Sequence, residues 1–250
     1  MKGNSLVTST ASIVGGLLIW EVISRFLINN ALFLASPSQI VVAIYKLGLS
    51  GVLWRHIEIS TYEFVLGYVI ASALGVLLGL AMAESRTAKS ILQPWVSGLY
   101  ATPTIALGPL FLLWMGIGIW SKVLVVITLV VFPVALNTEV GLLTTSPRLI
   151  EMLRSFGASR KQIFFKLSLP SAAPFVLAGL KLGIGRGLIG VVVAELFGSR
   201  AGLGQLISQS ADAFNMPNLF AAVIILATAG IVMTAGFSWL EKRLVPWTRD

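Results

Sequence analysis

Six runs of apolar residues, each long enough to cross a bilayer, divide this 250-residue chain. They cover about residues 11–28, 59–83, 92–115, 122–143, 174–197 and 219–240. A helix needs about 20 apolar residues to span the hydrocarbon core. In lipid every backbone polar group must be bonded internally, so such runs form helices. The expected fold is therefore all-α and integral to the membrane, with six transmembrane helices in a single domain over 1–250. Only 11% of the residues are charged and the mean hydropathy is +0.91, whereas a soluble domain carries about 25% charged residues. Without cysteine there is neither a disulfide framework nor a cysteine-based zinc site. The single histidine, His56, is expected at an interface, and no metal site is expected.

The net charge of +8 would suggest nucleic acid in a soluble protein. Here it fits the excess of Lys and Arg in cytoplasmic loops, and no basic-aromatic surface pattern points to nucleic acid. Placing the loop near residue 150 in the cytoplasm puts eleven basic residues on that side and five on the other. Both termini are then expected in the cytoplasm of a multi-pass protein. The acid and base Glu21 and Arg25, spaced i,i+4 inside the first run, argue against a cleaved signal segment there.

Between the first two runs, SPSQIVVAIYKLGLSG (36–51) is too short to span. Ser36 before Pro37 predicts a capped helix start, and Ile40, Ile44 and Leu47 share one face. This segment is expected to lie on the outer membrane surface. Ala71, Gly75 and Gly79 recur every four residues, which lets a neighbouring helix approach closely. Pro103 and Pro109 are expected to bend or unwind the third run. GIGRGLIG (183–190) superficially resembles a dinucleotide fingerprint, but it lies inside an apolar run with no strand before it, so helix packing is the better reading.

The segment EMLRSFGASRKQIFFKLSLPSAAP (151–174) is basic, broken by Gly and closed by Pro. Ser146-Pro147 predicts a helix start with a capping serine. Leu149, Leu153 and Phe156 make an apolar stripe, and Arg148, Glu151 and Arg154 a charged one. Gly157 is placed to end this helix in a left-handed cap. Ser159 and Gln162 predict a capping box that opens a second short helix, and Pro170 is expected to end it. A connector lying on lipid headgroups and a finger docking into a partner both fit these residues. The tight Gly turn between two capped helices favours the finger, with Phe156, Gly157 and Ala158 at its tip.

Glu151, Gly157 six residues on, and Leu167, Leu169 and Pro170 resemble the EAA loop of ABC importer permeases. The family pattern has Ala where Met152 and Leu153 stand, and Ile where Leu167 stands. SPSQI, the prolines of the third run, WMGIG (114–118) and GRGLIGVVVAELFGSRAGLG (185–204) look like the nitrate, sulfonate and taurine branch. The resemblance spans about residues 36–240. It implies a type I importer permease in a bacterial-type inner membrane, with a coupling helix in the loop at 146–172. Glu151, Arg154, Phe156, Gly157, Ala158, Ser159, Arg160 and Pro170 would then engage cytoplasmic ATPase subunits.

The implied partners are those ATPases, a second permease chain in a homodimer, an extracytoplasmic binding protein and the lipid bilayer, with no nucleic acid. The chain lacks GxxxxGK[ST], so ATP and Mg belong to the ATPase, no cofactor is expected on this chain and it is not expected to be an enzyme. The implied cargo is a small anionic solute such as a sulfonate, taurine or nitrate. A pyrimidine, bicarbonate or an aromatic acid is the alternative cargo, and an ion-coupled secondary carrier the alternative mechanism. Tyr100, Thr102, Pro103, Thr104, Trp114 and Arg186 are the candidate path-lining residues. Among the charges within the runs, Glu139 and Lys181 are expected to meet by depth. Glu195 is expected to find Lys122 or Arg200, on the opposite side of its helix from Arg186.

Overall fold

The computed structural model describes residues 2–28, 30 and 32–248. Arg249 and the side chain of Lys2, both counted in the charge asymmetry, lie outside the described residues. The described residues are helices and turns, and they form two compact units: residues 1–60 with 200–227, and residues 61–199 with 228–250.

In the first unit, α1 (Lys2–Val22) runs on as a π-helical segment, Ile23–Ile28, and α2 covers Pro37–Leu49. α2 starts where the sequence places it. The Ser36 hydroxyl accepts from the Gln39 N–H while the Gln39 side chain accepts from the Ser36 N–H, a complete capping box. Glu21 pairs with Arg25 as expected, and the pair reaches farther. The Ser38 N–H donates to Glu21 Oε2 at 3.0 Å, and Arg25 Nη2 donates to Ser38 Oγ at 2.8 Å. A carboxylate thus sits on the first-turn donors of α2, where the helix dipole favours it.

α2 buries Ile40 and Ala43 with Ala221 and exposes Val41, Tyr45 and Leu49. The first turns of α3 (Val52–Glu84) pack Leu53 on Leu203 and Leu206 of α10 (Leu203–Asp212), beside the first turns of α11 (Met216–Leu244). His56 is enclosed within this unit. It is 7% exposed, with Nδ1 2.6 Å from the Gly202 carbonyl oxygen. Ser60 Oγ accepts the Leu203 N–H at 2.7 Å, satisfying one of the free donors at the start of α10.

The second unit is built around α6 (Ile119–Leu143), whose buried residues include Val123, Val126, Val130 and Val134. The small residues of α3 let it lie close. A Cβ at Gly75 would stand 2.7 Å from the Val131 carbonyl oxygen, and one at Gly79 2.6 Å from Thr138 Cβ. α9 (Leu169–Gly198) packs antiparallel on α6. Gly141, Gly179, Gly183 and Gly190 contact Ala172/Phe175, Asn137, Val130 and Leu129 in reverse order along the two helices. The GIGRGLIG segment is therefore a helix-packing surface.

α4 (Arg86–Ala101) and α5 (Gly108–Met115) are separated by an extended Thr102–Pro103 link and a short 3-10 turn, Thr104–Leu107, and their axes differ by 86°. Pro103 makes this break. Pro109 does not bend a helix, because it sits in the first turn of α5, where no N–H is needed. Among the described residues five helices are long and apolar enough to cross a membrane, and six if the bent pair counts as one span.

Candidate functional site

The loop after α6 carries α7 (Pro147–Ser155) and α8 (Arg160–Ile163). Pro147 presets the first turn, but the Ser146 side chain makes no capping bond, contrary to expectation. The C-terminus is built as a Schellman motif. The Ala158 N–H donates to the Leu153 carbonyl at 3.0 Å and the Gly157 N–H to the Arg154 carbonyl at 2.9 Å. Gly157 has φ +78°, the left-handed conformation this motif requires. Ser159 and Gln162 then close a full capping box on α8.

Pro170 does not end the second helix. After α8 the chain widens into π-helical turns, Phe164–Ser168, and continues as α9 through Pro170 and Pro174. The Leu169 N–H bonds back five residues to the Phe164 carbonyl. The wider turn makes room for the proline ring, and Pro170 falls in the first turn of α9. The finger is thus joined to the long helix α9 without a break.

α7 buries no residue. Of its apolar stripe Leu149 and Phe156 are exposed, Phe156 to 80%, and Leu153 is half-buried. Glu151, Arg154 and Arg160 are exposed, and among the described residues none is in an ion pair. Arg154 and Arg160 line a cleft of about 280 Å³ together with Glu84, Ile163 and Phe164. Glu84 is a site residue that the sequence does not single out.

The candidate path residues divide. Arg186 Nη2 donates to Tyr100 Oη at 2.9 Å, and its guanidinium lies 4.9 Å from the Tyr100 ring centroid. Both are exposed beside the break, as are Thr102 and Pro103. Trp114 is 68% exposed and tilts against Phe111 at 6.1 Å, whereas Thr104 is buried.

Glu139 and Lys181 do not meet. Lys89 Nζ lies 2.8 Å from Glu139 Oε1, and Lys181 Nζ lies 3.6 Å from Glu241 Oε2. Depth along two helices does not fix the direction each side chain takes around its axis, and the α4 and α11 partners were closer. Glu195 is fully buried, whereas Arg186 is exposed; the Glu195 carboxyl group meets Glu63, with Lys122 within electrostatic reach.

Residues 71–250 match the family described as binding-protein-dependent transport system inner membrane component. The chain belongs to this family of ABC importer permeases. It is 34% identical over 233 residues to the formylaminopyrimidine transport permease protein ThiX of Halalkalibacterium halodurans, covering 93% of this chain and 92% of that one. It is 29% identical over 236 residues to the taurine transport system permease protein TauC of Escherichia coli, covering 92% and 86%. An amino acid ABC transporter crystallised with histidines superposes with a TM-score of 0.63 at 18% identity, over 81% of this chain and 96% of that one. The permease fold and the multi-pass membrane architecture follow.

Proposed function

We propose that this permease is the membrane subunit of an importer for a small anionic solute, driven by ATPase subunits docked on the finger at 147–168. The observation that carries this reading is α7. It is a helix capped at its C-terminus, with no buried residue, an apolar stripe exposed at Leu149 and Phe156 and unpaired charges at its rim. An unpartnered amphipathic helix of this kind gains by laying its apolar face in a partner's groove. The finger is continuous with α9, so movement of the docked partner would be transmitted to a spanning helix.

In this reading the finger and both termini lie in the cytoplasm, as the loop charges favour. ATP and Mg stay on the ATPase, and this chain has no covalent chemistry of its own. The permease pairs with a second copy, and an extracytoplasmic binding protein delivers the cargo. Arg186, held over Tyr100 beside the broken span, supplies a fixed cation for an anionic group. Arg suits sulfonate or carboxylate because its planar donors bind two oxygens at once. The taurine permease among the relatives supports a sulfonate, and the formylaminopyrimidine permease supports a pyrimidine as the second cargo class.

The absence of native cysteine makes the docking directly testable. Phe156→Cys, co-expressed with the partner ATPase carrying single cysteines in its surface grooves, should form an inter-subunit disulfide. Ile28→Cys should not. Equal cross-linking at both positions would contradict the docking.

A further inference from the structure

Three ionisable side chains from three helices meet inside the second unit, away from the finger. Glu63 on α3 is 2% exposed, Lys122 on α6 3% and Glu195 on α9 0%. The carboxyl groups of Glu63 and Glu195 are in hydrogen-bond contact, and the Lys122 ammonium is within electrostatic reach of both. Lys122 Nζ also donates to the Gly118 carbonyl at 3.0 Å. Tyr68, one turn and a residue farther along α3, is directed elsewhere and donates to the Leu180 carbonyl at 2.9 Å.

The packing around the group is tight. A Cβ at Gly67 would stand 2.7 Å from Val126 Cβ, and one at Gly187 2.9 Å from the Phe64 ring. Lys122 sits at the start of α6 and Glu195 near the end of α9, so the cluster lies at the end of this antiparallel pair remote from the finger.

An ionised carboxylate can only accept hydrogen bonds. Two carboxyl groups in hydrogen-bond contact therefore need a proton between them. Charge balance gives the same answer. Two carboxylates and one ammonium would leave a net negative charge among apolar side chains, which is strongly unfavourable, whereas one retained proton makes the group neutral. Oε2 of Glu63 is buried without a hydrogen-bond partner, as suits the oxygen of a protonated acid that is not engaged.

We propose that Glu63 and Glu195 hold one proton between them beside the Lys122 ammonium, forming an electroneutral proton site that clasps α3, α6 and α9 at the end remote from the coupling finger. Loss of the proton would set two like charges against each other and push α3 and α9 apart. The packing of these three helices is thereby tied to occupancy of the site.

The test is infrared spectroscopy of the full chain in lipid nanodiscs. Wild type should show the carbonyl stretch of a protonated carboxylic acid, shifted in heavy water and unchanged when sodium replaces potassium. Glu63→Gln and Glu195→Gln should each abolish it. Absence of the band in wild type, its loss in sodium, or its persistence in both variants would overturn the proposal.

Thermal unfolding gives a second reading. Glutamine replaces the neutral acid and keeps a donor, so Glu63→Gln should shift Tm by less than about 3 °C, the scale of 1 kcal/mol for a chain of this size. The Glu63→Gln/Glu195→Gln double variant leaves the ammonium uncompensated and should fall by more than about 6 °C. A marked rise in Tm for Glu63→Gln would mean that the acids had carried an uncompensated charge, and would overturn the shared proton.

Discussion

Lys89 Nζ stands 2.8 Å from Glu139 Oε1, joining the first turn of α4 to the last turns of α6. Glu139 is 4% exposed, and eight residues beyond it the chain enters α7. The ion pair thus fixes α4 at the base of the finger. Removing one partner of a buried pair costs more than removing both, because a lone buried charge remains. Lys89 is partly exposed, and solvent screening reduces the effect. Lys89→Met should therefore lower stability by about 1–3 kcal/mol, and Lys89→Met/Glu139→Gln should recover most of the loss. A double-mutant cycle by thermal unfolding in nanodiscs measures the coupling, and strictly additive losses would show that the pair does not hold α4.

The glycines of α3 and α9 carry a second prediction. At Gly79 a Cβ would lie 2.6 Å from Thr138 Cβ, so Gly79→Ala forces α3 away from α6. Overpacking of this kind costs about 1–3 kcal/mol. At Gly185 nothing lies within 4 Å of the added carbon, and Gly185→Ala should stay within about 0.5 kcal/mol of wild type. Comparison of melting temperatures and folded yield for the two variants checks the contrast.

Gly157 carries a third. Its φ of +78° strains any β-branched side chain. Gly157→Val should open the Schellman turn and speed amide exchange of Gly157 and Ala158, while Gly157→Asn, which tolerates this conformation, should not. Hydrogen exchange of the finger reads this directly, and equal protection in both variants would contradict the assigned turn.

The Arg186–Tyr100 contact carries a fourth. With the complete transporter in proteoliposomes, Arg186→Ala should reduce uptake of an anionic cargo at least about tenfold, the loss of roughly one charge-assisted hydrogen bond. Arg186→Lys should restore only part of it, because the ammonium lacks the planar donors. Unchanged uptake in Arg186→Ala would remove this residue from the path.

The sequence carried the local devices of this fold because each is written in neighbouring residues. Ser36, Pro37 and Gln39 specify the start of α2, Gly157 specifies the turn of the finger, and Pro103 specifies the broken span. Long-range partners were harder to read. Glu139 and Lys181 share a depth but not a facing direction, and each bonds to a third helix. Glu63 leaves a weaker signal in the sequence. It is an acid in an apolar run with no base three or four residues away, so its partner had to come from another helix. Pro170 misled in the other direction, because a π turn absorbs a proline that an α-helix would not.

The finger at 147–168 is proposed as the docking element for a separate ATPase. The most direct measurement is co-purification from mild detergent of the tagged wild-type chain beside Glu151→Lys and Gly157→Trp, with Gly185→Ala as a control for folding. An ATPase should accompany wild type and the control, and both finger variants should lose it while remaining folded. An ATPase retained by both variants, or absent from wild type, would contradict the claim and leave the finger as a connector on the lipid surface.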